Sequence, residues 1–213
     1  TETGMNTSNP YDGERRGGTV GFPLKGTELR ITGEDGRELP TGQTGMIEVR
    51  GPNVFKGYWQ MPDKTAEELR PDGFFMTGDL GVIDSDGYVT IVGREKDLII
   101  TGGYNVYPKE VEQLLDQQPT IKESAVIGVP HADFGEGVVA VLVPEAGAAP
   151  DLDVIAAEVA RKLANYKRPK AYVLLDEMPR NTMGKVQKNI LRADYAELLG
   201  PAPGKKKAGE QIR

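Results

Sequence analysis

Gly93-Arg94-Glu95-Lys96-Asp97-Leu98-Ile99-Ile100-Thr101-Gly102-Gly103-Tyr104-Asn105-Val106-Tyr107-Pro108-Lys109-Glu110 divides the chain into two textures. Before it the sequence reads as short strands and turns, and after it as alternating strands and helices. Arg94 to Asp97 sets four charged side chains in a row. Such a run is poor core material, so the segment is expected to cross between two packed bodies. Gly102-Gly103 accepts positive φ and lets a ligand approach the backbone closely. Pro108 brings its ring φ pre-set for a first helical turn, which predicts a helix from that residue. A surface linker followed by a hairpin accounts for the same spacing.

Composition bounds the function. With 213 residues, 38% of them hydrophobic, the chain can bury a real core in one or two domains. A formal charge of −6 offers no bulk basic field for nucleic acid or an anionic membrane, so neither is expected as a partner. No apolar run approaches a membrane span, and no secretory signal opens the sequence, so a cytoplasmic location is expected. There is no cysteine, which excludes disulfides, thiolate ligands and a cysteine nucleophile. The single histidine, His131, leaves little material for a His-rich zinc site or a Ser-His-Asp triad. It follows a strand in Val129-Pro130-His131-Ala132-Asp133 and reads as structural or solvent-facing. The first residue is Thr1 rather than Met, which suggests a piece of a longer chain.

Strands are expected at Thr19–Phe22, Glu28–Ile31 and Met46–Val49, separated by Gly33-Glu34-Asp35-Gly36 and Pro40-Thr41-Gly42-Gln43. Asp63 is placed to cap a short helix over Lys64–Leu69. Further strands fall at Phe74–Met76, Leu80–Ile83 and Tyr88–Val92, with Ser85-Asp86-Gly87 turning the last pair. Short strands at this spacing suggest a small β-barrel or sandwich. Beyond residue 97, helix Pro108–Gln118 carries Val111, Leu114 and Leu115 on one face. Strands Ser124–Val129 and Val138–Val143 are nearly all apolar, as buried strands are. Helix Leu152–Ala164 sets Leu152, Ile155, Val159 and Leu163 along one stripe. Strand Ala171–Leu175 and a last helix, Ile190–Leu199, complete a compact α+β order. Residues 201–213 have no apolar period and are expected to be disordered.

Charge is unevenly spread. Residues 161–192 hold nine basic side chains against two acidic ones, Asp176 and Glu177. A solvated face accounts for such a run; on an acidic protein it can also draw in a polyphosphate. Three smaller pieces invite a nucleotide. The carboxylate of Asp79, in Thr77-Gly78-Asp79, is placed to accept both hydroxyls of a ribose, and Arg94 can donate to the same sugar or to a phosphate. A turn-capping aspartate explains the first of these equally. The third piece is Pro179-Arg180-Asn181-Thr182-Met183-Gly184-Lys185, which presents a lysine before the final helix. A lysine is a compact charge suited to oxygens that gain charge in a transition state. At about 4 Å and an effective dielectric of about 20 its charge is worth about 4 kcal/mol, roughly a thousandfold in rate. A plain surface lysine is the alternative.

Taken in order, the segments Thr1-Glu2-Thr3, Gly45-Met46-Ile47-Glu48-Val49-Arg50-Gly51, Gly57-Tyr58-Trp59, Thr77-Gly78-Asp79, Gly93-Arg94-Glu95-Lys96-Asp97, Gly102–Pro108 and Pro179–Lys185 resemble the acyl-adenylate-forming superfamily. That superfamily holds acyl-CoA synthetases, firefly luciferase and the adenylation domains of peptide synthetases. The resemblance implies an α+β chain. Residues 1–95 end a large amino-terminal domain with a small β-barrel subdomain, 96 is a hinge, and 97–200 form a compact mobile carboxyl-terminal domain.

By the same resemblance, the enzyme makes an acyl-AMP from a carboxylate and ATP and lets a thiol attack it. Glu2 would hold Mg²⁺, Thr1 would contact the carboxylate or the α-phosphate, and Asp79 and Arg94 would bind the ribose. Lys185 would stabilise the adenylation transition state. After a turn about Lys96, the stretch containing Gly102, Gly103 and Tyr104 would line the passage for the pantetheine of coenzyme A.

Thr1–Pro10 with Gly13-Glu14-Arg15-Arg16 looks most like malonyl-CoA synthetases. Met5 would then border a small acyl pocket for malonate or methylmalonate, whose second carboxylate calls for an arginine upstream. The family's phosphate-binding loop and adenine-binding sequence precede Thr1 and are not in this sequence, so the isolated piece is expected to be inactive. Two other readings share the motifs. One is a non-catalytic binding or regulatory module, with Lys185 as the target of a lysine acetyltransferase. The other is an adenylating enzyme that loads a carrier protein.

Overall fold

The structure is a computed structural model that describes residues 2–200. The expected disorder of 201–213 and the expected contacts of Thr1 lie outside the described residues. The chain divides into two compact units, Thr1–Lys96 and Asp97–Arg213.

In the first unit β1 (Thr7–Ser8) and β2 (Phe22–Pro23) pair as a two-stranded antiparallel ribbon. Strands β3 (Glu28–Thr32) and β4 (Gly45–Arg50) lie where turn chemistry and alternation put them. Helix α1 (Pro62–Glu68) begins at its proline, and no side chain caps it, so Asp63 sits in the first turn rather than at the cap. The hydroxyl of Thr65 organises this start instead, donating to the Met61 carbonyl (2.9 Å) and accepting from the Tyr58 N–H (2.9 Å). The expected strands at 74–76 and 80–83 are one strand, β5 (Phe75–Ile83), followed by β6 (Val89–Arg94). The turn between them is held by Asp84 Oδ1, which accepts the N–H groups of Asp86 and Tyr88, both at 2.9 Å.

These strands form an antiparallel sheet of order β3-β4-β5-β6. Among the described residues these strands do not close into the expected barrel. The sheet is open, because β3 and β6 lie at opposite ends of the order and four strands are too few to close round a filled interior. Ile31, Ile47, Val49, Phe75 and Val89 make the core on one face. Glu48, between two of them in β4, is fully buried on the other.

The second unit begins with the hairpin β7 (Ile99–Thr101) and β8 (Tyr104–Val106), then α2 (Pro108–Leu115). Strands β9 (Ile121–His131) and β10 (Gly135–Pro144) follow, with α3 (Leu152–Lys162), β11 (Ala171–Leu174) and α4 (Lys188–Asp194). The last helix thus starts two residues before Ile190 and stops well short of Leu199. Strand β10 is the hub, pairing antiparallel with β9, parallel with β11 and, at Gly135, antiparallel with β7.

Alternate residues of β10 face two cores. Val138, Ala140 and Leu142 pack with α2 and α3, while Val139, Val141 and Val143 pack with Met178 and Leu191. Ile155 and Val159 of the α3 stripe are buried against the first of these. Asp151 caps α3 by accepting the N–H groups of Asp153 (3.0 Å) and Val154 (3.2 Å). His131 ends β9, its Nδ1 accepting the Asp133 N–H (3.2 Å) and its ring set against Phe134.

Candidate active site

Strand β5 breaks its register with β4 around Thr77-Gly78-Asp79. Met46 faces Leu80 and Glu48 faces Met76, so Ile47 alone stands opposite three residues of β5. The bulge is held by Thr77, whose hydroxyl donates to the Ile47 carbonyl (2.8 Å) and accepts the Asp79 N–H (3.1 Å). Gly78 takes φ +72°, and a Cβ there would sit 3.4 Å from Arg94 Nη1. The motif therefore lies inside a strand, not at its end. The bulge re-aims Asp79 so that it pairs with Arg94 across the ladder, Nε to Oδ1 at 3.0 Å. A second arm of Arg94 donates to the Thr77 carbonyl (3.1 Å). A carboxylate beside a guanidinium fork can meet a vicinal diol, which offers both donors and acceptors.

Next to this pair opens a cleft of about 500 Å³, walled by Glu2, Tyr58, Lys64, Thr77, Arg94 and Lys96. Glu2 is fixed through its carbonyl, which accepts the Phe55 N–H (2.8 Å). Tyr58 donates its hydroxyl to Glu68 at 2.5 Å and stands 3.5 Å from Glu2 Oε1. Burial and the two carboxylates push the Tyr58 phenol well above its ordinary pKa, so it stays a donor. Tyr58 appears in the sequence only as part of Gly57-Tyr58-Trp59, and nothing in the spacing points to Glu68 as its partner. Met5 is 70% exposed. Among the described residues no group of three His, Cys, Asp or Glu side chains could hold a metal ion. A Mg²⁺ shared with phosphates asks for less, one or two carboxylates, and Glu2 on the cleft wall meets that.

The second unit carries the other candidates on separate elements. Gly102 (φ +58°) and Gly103 (φ +82°) are the two-residue turn of the β7–β8 hairpin, the glycine-dependent type I′ geometry. Tyr104 follows, stacked on Tyr166 with ring centroids 4.7 Å apart. Lys185 lies exposed on the loop before α4. Much of the basic run is already engaged: Lys167 pairs with Glu110, Arg180 with Glu123, Lys188 with Glu112 and Arg192 with Asp97. No carboxylate among the described residues makes an ion pair with Lys185. Among those residues no helix is long and apolar enough to cross a membrane.

The chain belongs to the AMP-binding enzymes, the acyl-adenylate-forming family, and corresponds to their carboxyl-terminal portion. The model for the AMP-binding enzyme matches residues 1–59, and that for the AMP-binding enzyme C-terminal domain matches residues 110–185. Among solved structures it is similar to ATP-bound MatB from Rhodopseudomonas palustris, at 60% identity and a TM-score of 0.88 over 93% of this chain and 40% of that one. Among curated proteins it is 44% identical to the indoleacetate–CoA ligase of Aromatoleum aromaticum, over 86% of this chain and 36% of the relative. It is 43% identical to a probable CoA ligase of Humulus lupulus, over 90% and 33%. The chain thus spans about a third of the length of the curated relatives it matches.

Proposed function

We propose that this chain serves an ATP-dependent acid–thiol ligase that makes malonyl-CoA, or a close short-chain acyl-CoA, through an acyl-AMP. The observation that carries the reading is the bulge that sets Asp79 against Arg94 beside a cleft walled by Glu2. In this reading Asp79 and Arg94 take the ribose hydroxyls, and Glu2 holds Mg²⁺, which when bound neutralises phosphate charge. A carboxylate oxygen of the acid attacks the α-phosphorus and pyrophosphate leaves. The ammonium of Lys185 steadies the charge that builds on the phosphate oxygens. In the second half the thiol of coenzyme A attacks the acyl carbon, loses its proton, and AMP departs. The chain turns at Lys96 between the halves, and the Gly102–Tyr104 hairpin then guides the pantetheine. The ATP-bound relative at 60% identity supports the nucleotide. Malonate rests on Thr1–Arg16, with Met5 at the acyl pocket. The exposure of Lys185 also fits it as a site where acetylation stops the first half-reaction.

The test uses the protein with the upstream segment its relatives possess. Lys185→Ala is expected to lower acyl-AMP formation by roughly a thousandfold while sparing thioester formation from supplied malonyl-AMP. Equal loss of both halves removes the role. AMP release with malonate ahead of acetate is the result expected for the acid, and equal rates remove malonate.

A further inference from the structure

The loop that bears Lys185 is built unlike a free surface loop. The Gln187 N–H donates to the Pro179 carbonyl (2.8 Å), and Arg180 and Val186 bridge antiparallel. Asn181 closes the tip. Its own N–H donates to the Lys185 carbonyl (3.0 Å), and its carbonyl accepts the Gly184 N–H (2.9 Å). Its Oδ1 accepts the N–H groups of Met183 (3.0 Å) and Lys185 (2.9 Å).

Arg180 adds the outer brace. Nη1 donates to the Gly184 carbonyl (2.7 Å), and Nη2 donates to the carboxylate of Glu123 on β9. Both polar atoms of the peptide joining Gly184 to Lys185 are engaged, the carbonyl by Arg180 and the N–H by Asn181. Strand β9 runs through the core of the unit, with Ala125 and Ile127 buried two and four residues beyond Glu123. The guanidinium thus bolts that peptide to a strand whose following residues are buried in the core, with the planar two-armed geometry a lysine lacks.

We infer that Arg180, with Glu123 and Asn181, is a positioning residue that holds the Lys185 backbone in a preset place, so that only the side chain moves when it meets a phosphate. This rests on the role proposed above for Lys185 and deepens it. It also gives Arg180 a task other than drawing in polyphosphate, since its charge is already matched by Glu123. Presetting a charged group removes an ordering cost from the reacting complex, and a misplacement of about 1 Å can cost about a hundredfold.

The experiment measures the two half-reactions in the chain joined to the upstream segment its relatives possess, together with amide exchange at Lys185. Arg180→Met keeps the bulk and removes both donors. It is expected to slow acyl-AMP formation roughly 10- to 100-fold, to leave thioester formation from supplied acyl-AMP within about twofold, and to quicken exchange at the Lys185 amide. Arg180→Lys, able to reach one partner, is expected to fall between. In a Lys185→Ala background Arg180→Met should add no further loss, because its effect runs through that lysine. Glu123→Gln, which keeps an acceptor and removes the charge, is the milder variant should Arg180→Met fold poorly. It is expected to show a smaller loss confined to the same half.

Unchanged adenylation and unchanged exchange in Arg180→Met overturn the brace, as does a loss that adds fully to Lys185→Ala. Equal slowing of both halves with a lowered Tm reduces Arg180 to a structural residue and also overturns it. If Lys185→Ala keeps normal adenylation, the proposed role of Lys185 falls and the brace falls with it. If that variant is dead while Arg180→Met is normal, the brace alone falls.

Discussion

In the first unit the inner strand β4 sends Glu48, fully buried, into a clamp of Arg30, Arg70 and Thr32, with contacts of 2.5 to 2.9 Å. In the second, the inner strand β10 sends only apolar side chains to either face from Val138 to Val143, and all six are buried. The reason lies in what covers each sheet. Helices and the segment around Met178 cover β10 on both sides, so both faces can be greasy. On the polar side of β4 the cover is made of arginines, with the guanidinium groups of Arg30 and Arg50 lying 3.8 and 4.4 Å from the centre of the Phe74 ring. A carboxylate is what such a cover needs beneath it. The comparison teaches that the antiparallel sheet of the first unit is tied by charge and the mixed sheet of the second by area, and the two should fail differently.

The largest expected break is Glu48→Ala. Removing one member of a buried ion cluster strands the others, and a cost of about 3–5 kcal/mol is expected, read as lost amide protection in β3 to β5. A cost under about 1 kcal/mol would show that the clamp is not what holds the first sheet. Leu142→Ala should cost about 2–5 kcal/mol through the cavity it leaves, with protection lost in β9 and β10 and retained in β3 to β5. Loss spread evenly over both units would erase the contrast. Asp151→Ala sharpens it on a smaller scale: about 1 kcal/mol from the α3 cap, seen in chemical denaturation, and no change in the first unit.

The gentlest probe is acid. Arg50 holds the Glu28 carboxyl below its ordinary 4.5 by a hydrogen bond. Burial pushes Asp72 and Asp84 upward, but the Phe74 N–H with Arg30, and the Tyr88 and Asp86 N–H groups with Arg16, bring both below the ordinary 3.8. Groups with depressed folded values give stability that is full above their ordinary values and is lost as pH falls through the folded ones. Amide protection in the first unit should therefore fade below about pH 4 before that of β9 and β10 does. Simultaneous loss in both units would count against a charge-tied first sheet.

Much of this architecture could be read from local pattern. Strands β3, β4 and β10 and helix α3 announce themselves by alternation, β-branched runs and a clean stripe. What escaped was set by residues distant in sequence. Gly78 reads as a break between two strands, yet β5 runs through it, because a bulge is defined by the partner strand and not by the glycine. Glu48 falls in the expected strand Met46–Val49, and nothing local calls for its burial. It is buried because Arg30 and Arg70 reach it from other elements. Pro130 reads as the end of a strand, whereas β9 carries on to His131 opposite Gly135. At the site, Asp79 and Arg94 could be proposed for one ligand from their types alone. Their mutual contact, the hydrogen bond from Tyr58 to Glu68 and the engagement of Arg180 by Glu123 all needed the three-dimensional chain.

Helix α4 has seven residues, and its two cationic side chains grip separate parts of the second unit: Lys188 holds Glu112 of α2 at 2.6 Å, and Arg192 holds Asp97 at 2.7 Å. Asp97 is the first residue past Lys96, and Lys188 stands three residues past Lys185. One short rod therefore anchors the exit of the charged crossing and the root of the lysine loop. A charge reversal at Arg192 would be felt at both ends of it, so Asp97 and Lys188, far apart in the sequence, should tolerate substitution, or refuse it, together.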